Sequence, residues 1–146
     1  MKLTTRGRYG LRAMIELALR DSDGPVMVDT IAANQAISAK YIHVLMTALR
    51  NAGLVRATRG PGGGYALARD SRTISALEIV EALEGRSSFV KCVVDECDCP
   101  RASACAARDL WAEVAGAIER VLSNRSLAQL AEAQRSRQPE PIMFHI

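Results

Sequence analysis

Leu54-Val55-Arg56-Ala57-Thr58-Arg59-Gly60-Pro61-Gly62-Gly63-Gly64-Tyr65-Ala66-Leu67-Ala68 decides the fold. Its first six residues alternate as a strand does, Gly60 to Gly64 can only turn, and Tyr65 to Ala68 read as a second strand, so the stretch is a β-hairpin. A nucleotide-binding P-loop is the competing reading of so many glycines. It fails, because no Gly-Lys-Ser/Thr follows and the glycines lead into a strand instead of a helix.

Working back from the hairpin, a helix over about Ala39 to Ala52 places Ile42, Leu45, Met46 and Leu49 on one inward stripe, with Gly53 set to end it. Its other face carries Lys40, Tyr41, His43, Val44, Thr47 and Arg50. A short helix, about Val28 to Gln35, precedes it with Ile31 and Ala32 as its buried side. The tight link Ala36-Ile37-Ser38 joins the two, and Ser38 can cap the second. Alone, this pair is equally a plain helical hairpin with a solvated face. The β-hairpin attached directly to it makes the fold a winged helix, mainly α with a small β wing, in which the second helix enters the major groove of DNA. A glycine-rich tip at Gly60, Gly62 and Gly63 lets backbone N–H groups come close to phosphates, and Arg59 at its base is placed to reach the narrow minor groove.

The charge distribution agrees. Residues 1–72 hold 11 Lys or Arg against 5 Asp or Glu, and residues 73–146 hold 8 against 11, so the basic half is the half with the wing. A first helix runs from the candidate caps Thr4 and Thr5 to about Arg20, before a break at Asp21 to Pro25. Ser75-Ala76-Leu77-Glu78 is a capping box that starts a helix closed by Gly85, and Ile79, Val80 and Leu83 dock it on the head. A helix from about Ser103 to Leu122 has an apolar surface wider than one core contact requires, which includes Leu110, Trp111, Val114, Ile118 and Val121. Such a helix is shared between two copies, so it is the expected dimerisation helix. A last helix, capped by Ser126 with Gln129 three residues on, presents Leu127 and Leu130. The expected organisation is therefore a winged helix-turn-helix domain over 1–85, a cysteine-rich loop over 86–105, dimerisation helices over 106–137 and a tail over 138–146. For that tail, docking and disorder stand equal.

All four cysteines, Cys92, Cys97, Cys99 and Cys105, fall within fourteen residues that also hold Asp95, Glu96 and Asp98. A polar loop of this kind needs something to fold around, and a metal suits it. Zinc is the main alternative for four thiolates, and metal-free thiol sensing is another. No apolar run is long enough to span a membrane and no secretory signal stands at the start, so a cytoplasmic protein is expected, with thiols serving as ligands or redox sensors. No set of nucleophile, base and orienting group stands out, which argues against an enzyme.

The opening Met1-Lys-Leu-Thr-Thr-Arg-Gly-Arg-Tyr-Gly-Leu-Arg-Ala-Met14, Ile37-Ser38 before a helix bearing Tyr41, Gly53-Leu54-Val55, and above all Arg59-Gly-Pro-Gly-Gly-Gly-Tyr-Ala-Leu67 resemble the Rrf-type (IscR- and NsrR-like) bacterial regulators over most of residues 1–135. The resemblance implies a homodimeric winged-helix transcription factor, a repressor on a palindromic operator in double-stranded DNA. In many members an iron–sulfur cluster held by three cysteines beside the dimer helix sets DNA affinity, in response to cluster status, redox stress or nitric oxide. The family spacing falls best on Cys92, Cys99 and Cys105, with Cys97 an extra thiol, and a [2Fe–2S] centre is expected ahead of [4Fe–4S]. IscR-like members place a histidine ligand where this chain has Arg108, and others use an acidic residue of the partner's first helix, where this chain offers Arg8 and Arg12. Cys97, an acidic loop residue or Glu16 are the remaining candidates for a fourth ligand. The DNA-facing set is expected to be Thr4, Arg8, Ser38, Lys40, Tyr41, His43, Thr47, Arg50, Arg59, Gly60, Gly62 and Gly63, and His43 stands where IscR-like proteins carry a glutamate. Some members act without a cluster through a bound metabolic enzyme, for which the apolar Ile142 to Ile146 is a candidate docking peptide.

Overall fold

A computed structural model of the chain describes residues 3–86, 91–94 and 99–137. The first helix, α1 (Thr5–Leu19), starts where the Thr4 hydroxyl accepts the Arg6 backbone N–H at 3.1 Å, which satisfies one of the donors every helix start leaves open. Ala13, Met14 and Leu17 bury its inner face. Gly7 and Gly10 face α4 (Ala76–Glu84) so closely that a Cβ on Gly10 would stand 2.1 Å from Leu83 Cδ1. That approach lets Glu84 Oε1 accept from Thr4 N at 3.0 Å, Thr4 Oγ1 at 2.7 Å and Gly7 N at 2.9 Å. A carboxylate at a helix N-terminus is favoured by the helix dipole, and these hydrogen bonds, the Thr4 hydroxyl's first, hold the Glu84 carboxyl below its usual range.

α2 (Val28–Gln35) and α3 (Ala39–Asn51) form the helix-turn-helix. Ala36 turns the chain in the left-handed conformation (φ 53°), Ile37 plugs the corner, and the Ser38 hydroxyl accepts Tyr41 N at 3.2 Å to start α3. Ile42, Leu45, Met46 and Leu49 are all 0% exposed, the stripe expected from their spacing. The wing is an antiparallel pair, β1 (Val55–Thr58) and β2 (Gly64–Leu67), in register from Val55↔Leu67 to Thr58↔Gly64. At its tip Gly63 N donates to Gly60 O at 2.9 Å with Pro61 second and Gly62 third at φ 73°, the arrangement of a type II turn.

α4 opens with the expected capping box between Ser75 and Glu78. After it come the short α5 (Lys91–Val94), a 3₁₀ turn at Ala102–Ala104, α6 (Ala106–Ser123) and α7 (Leu127–Arg135). α6 begins at Ala106, not Ser103, because the 3₁₀ turn and an extended Cys105 (φ −110°, ψ 103°) intervene. It rests on α4 without burying any residue completely, and leaves Leu110 52% and Val121 63% exposed. α7 returns to the head. Ala76 N donates to Arg125 O and Leu127 N to Ile74 O, both at 2.8 Å, which pairs the starts of α4 and α7. Leu127 is then 0% exposed within the same core as α1 and α3, so the apolar face of α7 is occupied by its own head.

One polar group enters this interior. Glu16 accepts from Arg20 Nε at 2.6 Å and Asn34 Nδ2 at 2.7 Å on one oxygen and from Gln35 Nε2 at 3.1 Å on the other. Burial pushes its carboxyl upward, but the hydrogen bonds from Asn34, Arg20 and Gln35 together outweigh that and hold it below its ordinary 4.5. A depressed folded value means stability that is full above the unfolded value and lost as pH falls through the folded one. Glu16→Ala leaves two amides without their acceptor and is expected to destabilise the head by about 1–3 kcal/mol at neutral pH. It should also flatten the loss of stability below about pH 4.5 that urea titrations of the native chain would record. An equally steep acid limb in the variant would assign that limb to other groups.

Candidate nucleic-acid interface and cysteine centre

Lys40, His43, Val44 and Thr47 stand three, one and three residues apart on α3, so they form one outward stripe opposite the buried one, and all four are exposed. Thr47 Oγ1 donates back to His43 O at 2.8 Å. The His43 ring lies edge-on to Tyr65 with centroids 6.2 Å apart and Nδ1 3.4 Å from the phenol oxygen, so the recognition face and the wing touch. Tyr41, counted with that face from sequence, turns its ring edge-on to Tyr9 at 6.2 Å and is half-buried against the core. The Ser38 hydroxyl is used as the cap described above, and Arg50 is exposed in the last turn. On the wing, Arg59, Gly60 and Gly62 are exposed and Gly63 half-buried. Thr4 is held by Glu84, and Arg8 Nη2 donates to Thr5 Oγ1 at 3.3 Å.

Among the described residues, Lys40 and Arg50 on α3 and Arg56 and Arg59 on the wing have no carboxylate partner, and neither has Arg8 on α1. The expected DNA-facing set left out Arg56, which is exposed on β1 between Val55 and Ala57. It also left out Val44, 47% exposed at the centre of the stripe.

Cys92 lies on α5, Cys99 accepts Ala102 N at 3.1 Å at the start of the 3₁₀ turn, and Cys105 is the residue before α6. All three are free, half-buried thiols. Arg108 Nε donates to Cys92 O at 2.8 Å, which ties α5 to the first turn of the helix that Cys105 precedes. Arg108 therefore has a structural duty at the position where the resemblance implies a histidine ligand. Cys97 lies outside the described residues, as does the tail over 138–146.

The donor chemistry suits an iron–sulfur centre, since thiolates are its preferred ligands. The assembly is incomplete: among the described residues no three His, Cys, Asp or Glu side chains stand close enough to hold a metal ion. Glu16 cannot supply the missing ligand, because it is 5% exposed and both its oxygens accept hydrogen bonds within its own head. Among the described residues no helix is long and apolar enough to cross a membrane.

The pattern of one family, Rrf2, described as an iron-dependent transcriptional regulator, matches residues 3–133. Protein rrf2 of Nitratidesulfovibrio vulgaris is 42% identical over 130 residues, 89% of this chain and 87% of that one. The HTH-type transcriptional regulator CymR of Bacillus subtilis is 40% identical over 146 residues, 100% of both chains. Its solved structure, described as that of the global cysteine regulator of B. subtilis, covers 91% of this chain and 98% of its own with a TM-score of 0.78. A solved T. potens IscR, 34% identical, covers 99% of this chain and 97% of its own with a TM-score of 0.76. The two solved structures share this chain's fold, and the B. subtilis relative is named as a regulator of transcription. With this fold and 131 consecutive residues matched, the chain belongs to the Rrf2 family of transcriptional regulators.

Proposed function

We propose that the chain is a homodimeric repressor that places α3 in the major groove and the wing along the minor groove of a palindromic operator, and that an iron–sulfur cluster on its cysteines, [2Fe–2S] ahead of [4Fe–4S], sets operator affinity. The observation that carries the sensing half is the Arg108 to Cys92 hydrogen bond, which joins the segment bearing the first cysteine to the helix that the last one precedes. Cys92, Cys99 and Cys105 would hold the cluster, with Cys97 a further candidate. When bound, it supplies a centre that responds to cluster supply, oxidants or nitric oxide. The exposed apolar residues Leu110 and Val121 of α6 supply the surface for a second copy.

The chain's own residues give a route from the cysteines to the head. Arg108 fixes α5 against α6, α6 rests on α4, and Glu84 at the end of α4 holds the N-terminus of α1. Control of DNA affinity requires that the two states of the cysteine segment make different contacts with the two dimer geometries. Full-length chain purified without oxygen is expected to contain iron and absorb in the visible. Cys92→Ala and Cys105→Ala should each lose that absorption and change operator affinity, while stability falls by no more than about 1 kcal/mol, because the half-buried thiols lie outside the core of the head. A colourless sample with one zinc per chain, or unchanged affinity in both variants, overturns the cluster reading.

A second reading has its own support. The described thiols are not gathered into a metal site, and a relative 40% identical over the whole chain is described as a global cysteine regulator. In this reading the thiols act without iron, or the regulator works through a bound metabolic enzyme docked on the tail. A metal-free sample whose operator binding depends on removal of residues 138–146 would favour it.

A further inference from the structure

α3 assigns its large apolar side chains unequally. Ile42, Leu45, Met46 and Leu49 are 0% exposed, whereas Val44 is 47% exposed at the centre of the outward stripe. Around it lies a shallow notch lined by Arg6, His43, Val44, Thr47, Ala48 and Asn51. Thr47 has turned its hydroxyl proton to the His43 carbonyl, and Ala48 adds a methyl group to the lining. The middle of this face therefore presents the apolar Val44 side chain between the polar groups of His43 and Asn51, with the cation Arg6 on the rim of the notch and Lys40 one helical turn before Val44.

Base edges in the major groove offer donors, acceptors and one apolar feature, the thymine C5-methyl group. A β-branched side chain on a helix is confined to essentially one rotamer, so Val44 meets such a partner already positioned. Lys40 and Arg50 on the same helix, which have no carboxylate partner among the described residues, favour a polyanion over a protein surface as the occupant. We infer that Val44 is a specificity-determining residue that packs on a thymine C5-methyl group, so that each operator half-site carries a T·A pair at the centre of the α3 contact. This rests on the reading of α3 as the major-groove helix.

The test selects duplexes from a randomised library with the full chain, in whichever of its iron-loaded and iron-free forms enriches a sequence. Each thymine of the selected half-site is then replaced in turn by deoxyuridine, which removes only the methyl group. One replacement per half-site should weaken binding by the native chain about fourfold, the effect of one buried methyl-sized group. The same replacement should leave binding by Val44→Ala unchanged. Tolerance of deoxyuridine at every thymine by a native chain that still prefers its selected sequence overturns the inference, as does equal sensitivity in Val44→Ala. Enrichment of no sequence at all would overturn the DNA reading itself, a different and recognisable result.

Discussion

With Gly64 replaced by alanine, the wing is expected to separate from the head, at a loss of about 3 kcal/mol in stability and of sequence-specific DNA binding altogether. A Cβ at this position would stand 2.1 Å from Val26 O, 2.4 Å from Val26 C and 2.8 Å from Met27 N. These are backbone atoms, so no flexible side chain can yield. The same backbone makes the two hydrogen bonds that root the wing, Val26 N to Tyr65 O at 2.8 Å and Tyr65 N to Val26 O at 2.9 Å. Relief of the clash must break one or both, and it must also move Tyr65, whose phenol stands beside His43 on the recognition face. Gly62→Ala is the matched control. Its Cβ would meet nothing within 4 Å, so only the left-handed backbone (φ 73°) opposes it, at about 1 kcal/mol. Urea unfolding and operator titration of both variants check the ranking, and a Gly62 variant as damaged as the Gly64 one would refute the close contact as the cause.

What could be read from the sequence was what neighbours along the chain decide. The caps Ser38, Ser75 with Glu78, and Ser126 with Gln129 are hydrogen bonds across three residues, and each is present. The buried stripe of α3 and the glycine turn of the wing follow from local period and local backbone freedom. Amphipathic spacing says that a face is buried, but not against what. Leu127 and Leu130 marked α7 as half-apolar, and nothing within it announced that α1 would be its partner. Likewise Glu84 reaches Thr4 across 80 positions, and Glu16, weighed as a metal ligand, closes a polar trio with α2. Tyr41 looked like a hydrogen-bonding member of the recognition face because its spacing is ambiguous between the two sides, and Tyr9 draws it inward. The clustering of the cysteines was legible; their ligand set was not, since the described thiols do not gather within one copy.

Leu127→Ala should cost about 3 kcal/mol, although it lies within the segment, 106–137, expected to hold the dimerisation helices. The side chain is 0% exposed and packs in one cluster with Met14, Leu17 and Ile74, so its removal leaves a cavity that helix-flanked walls cannot collapse into freely. Its backbone N–H donates to Ile74 O, which ties the position to the start of α4 and limits relaxation further. Leu110→Ala provides the contrast, since Leu110 is 52% exposed on α6 and is expected to change the stability of a single copy by no more than about 0.5 kcal/mol. If α6 is where two copies meet, the Leu110 variant should instead unfold at a lower midpoint that depends less on protein concentration than the native chain's, because weaker association leaves less of the stability linked to mass action. Urea unfolding of both variants at two protein concentrations separates the roles. A Leu127 variant with native stability at both would mean that α7 does not complete the head, and would return that helix to the association surface its sequence position suggested.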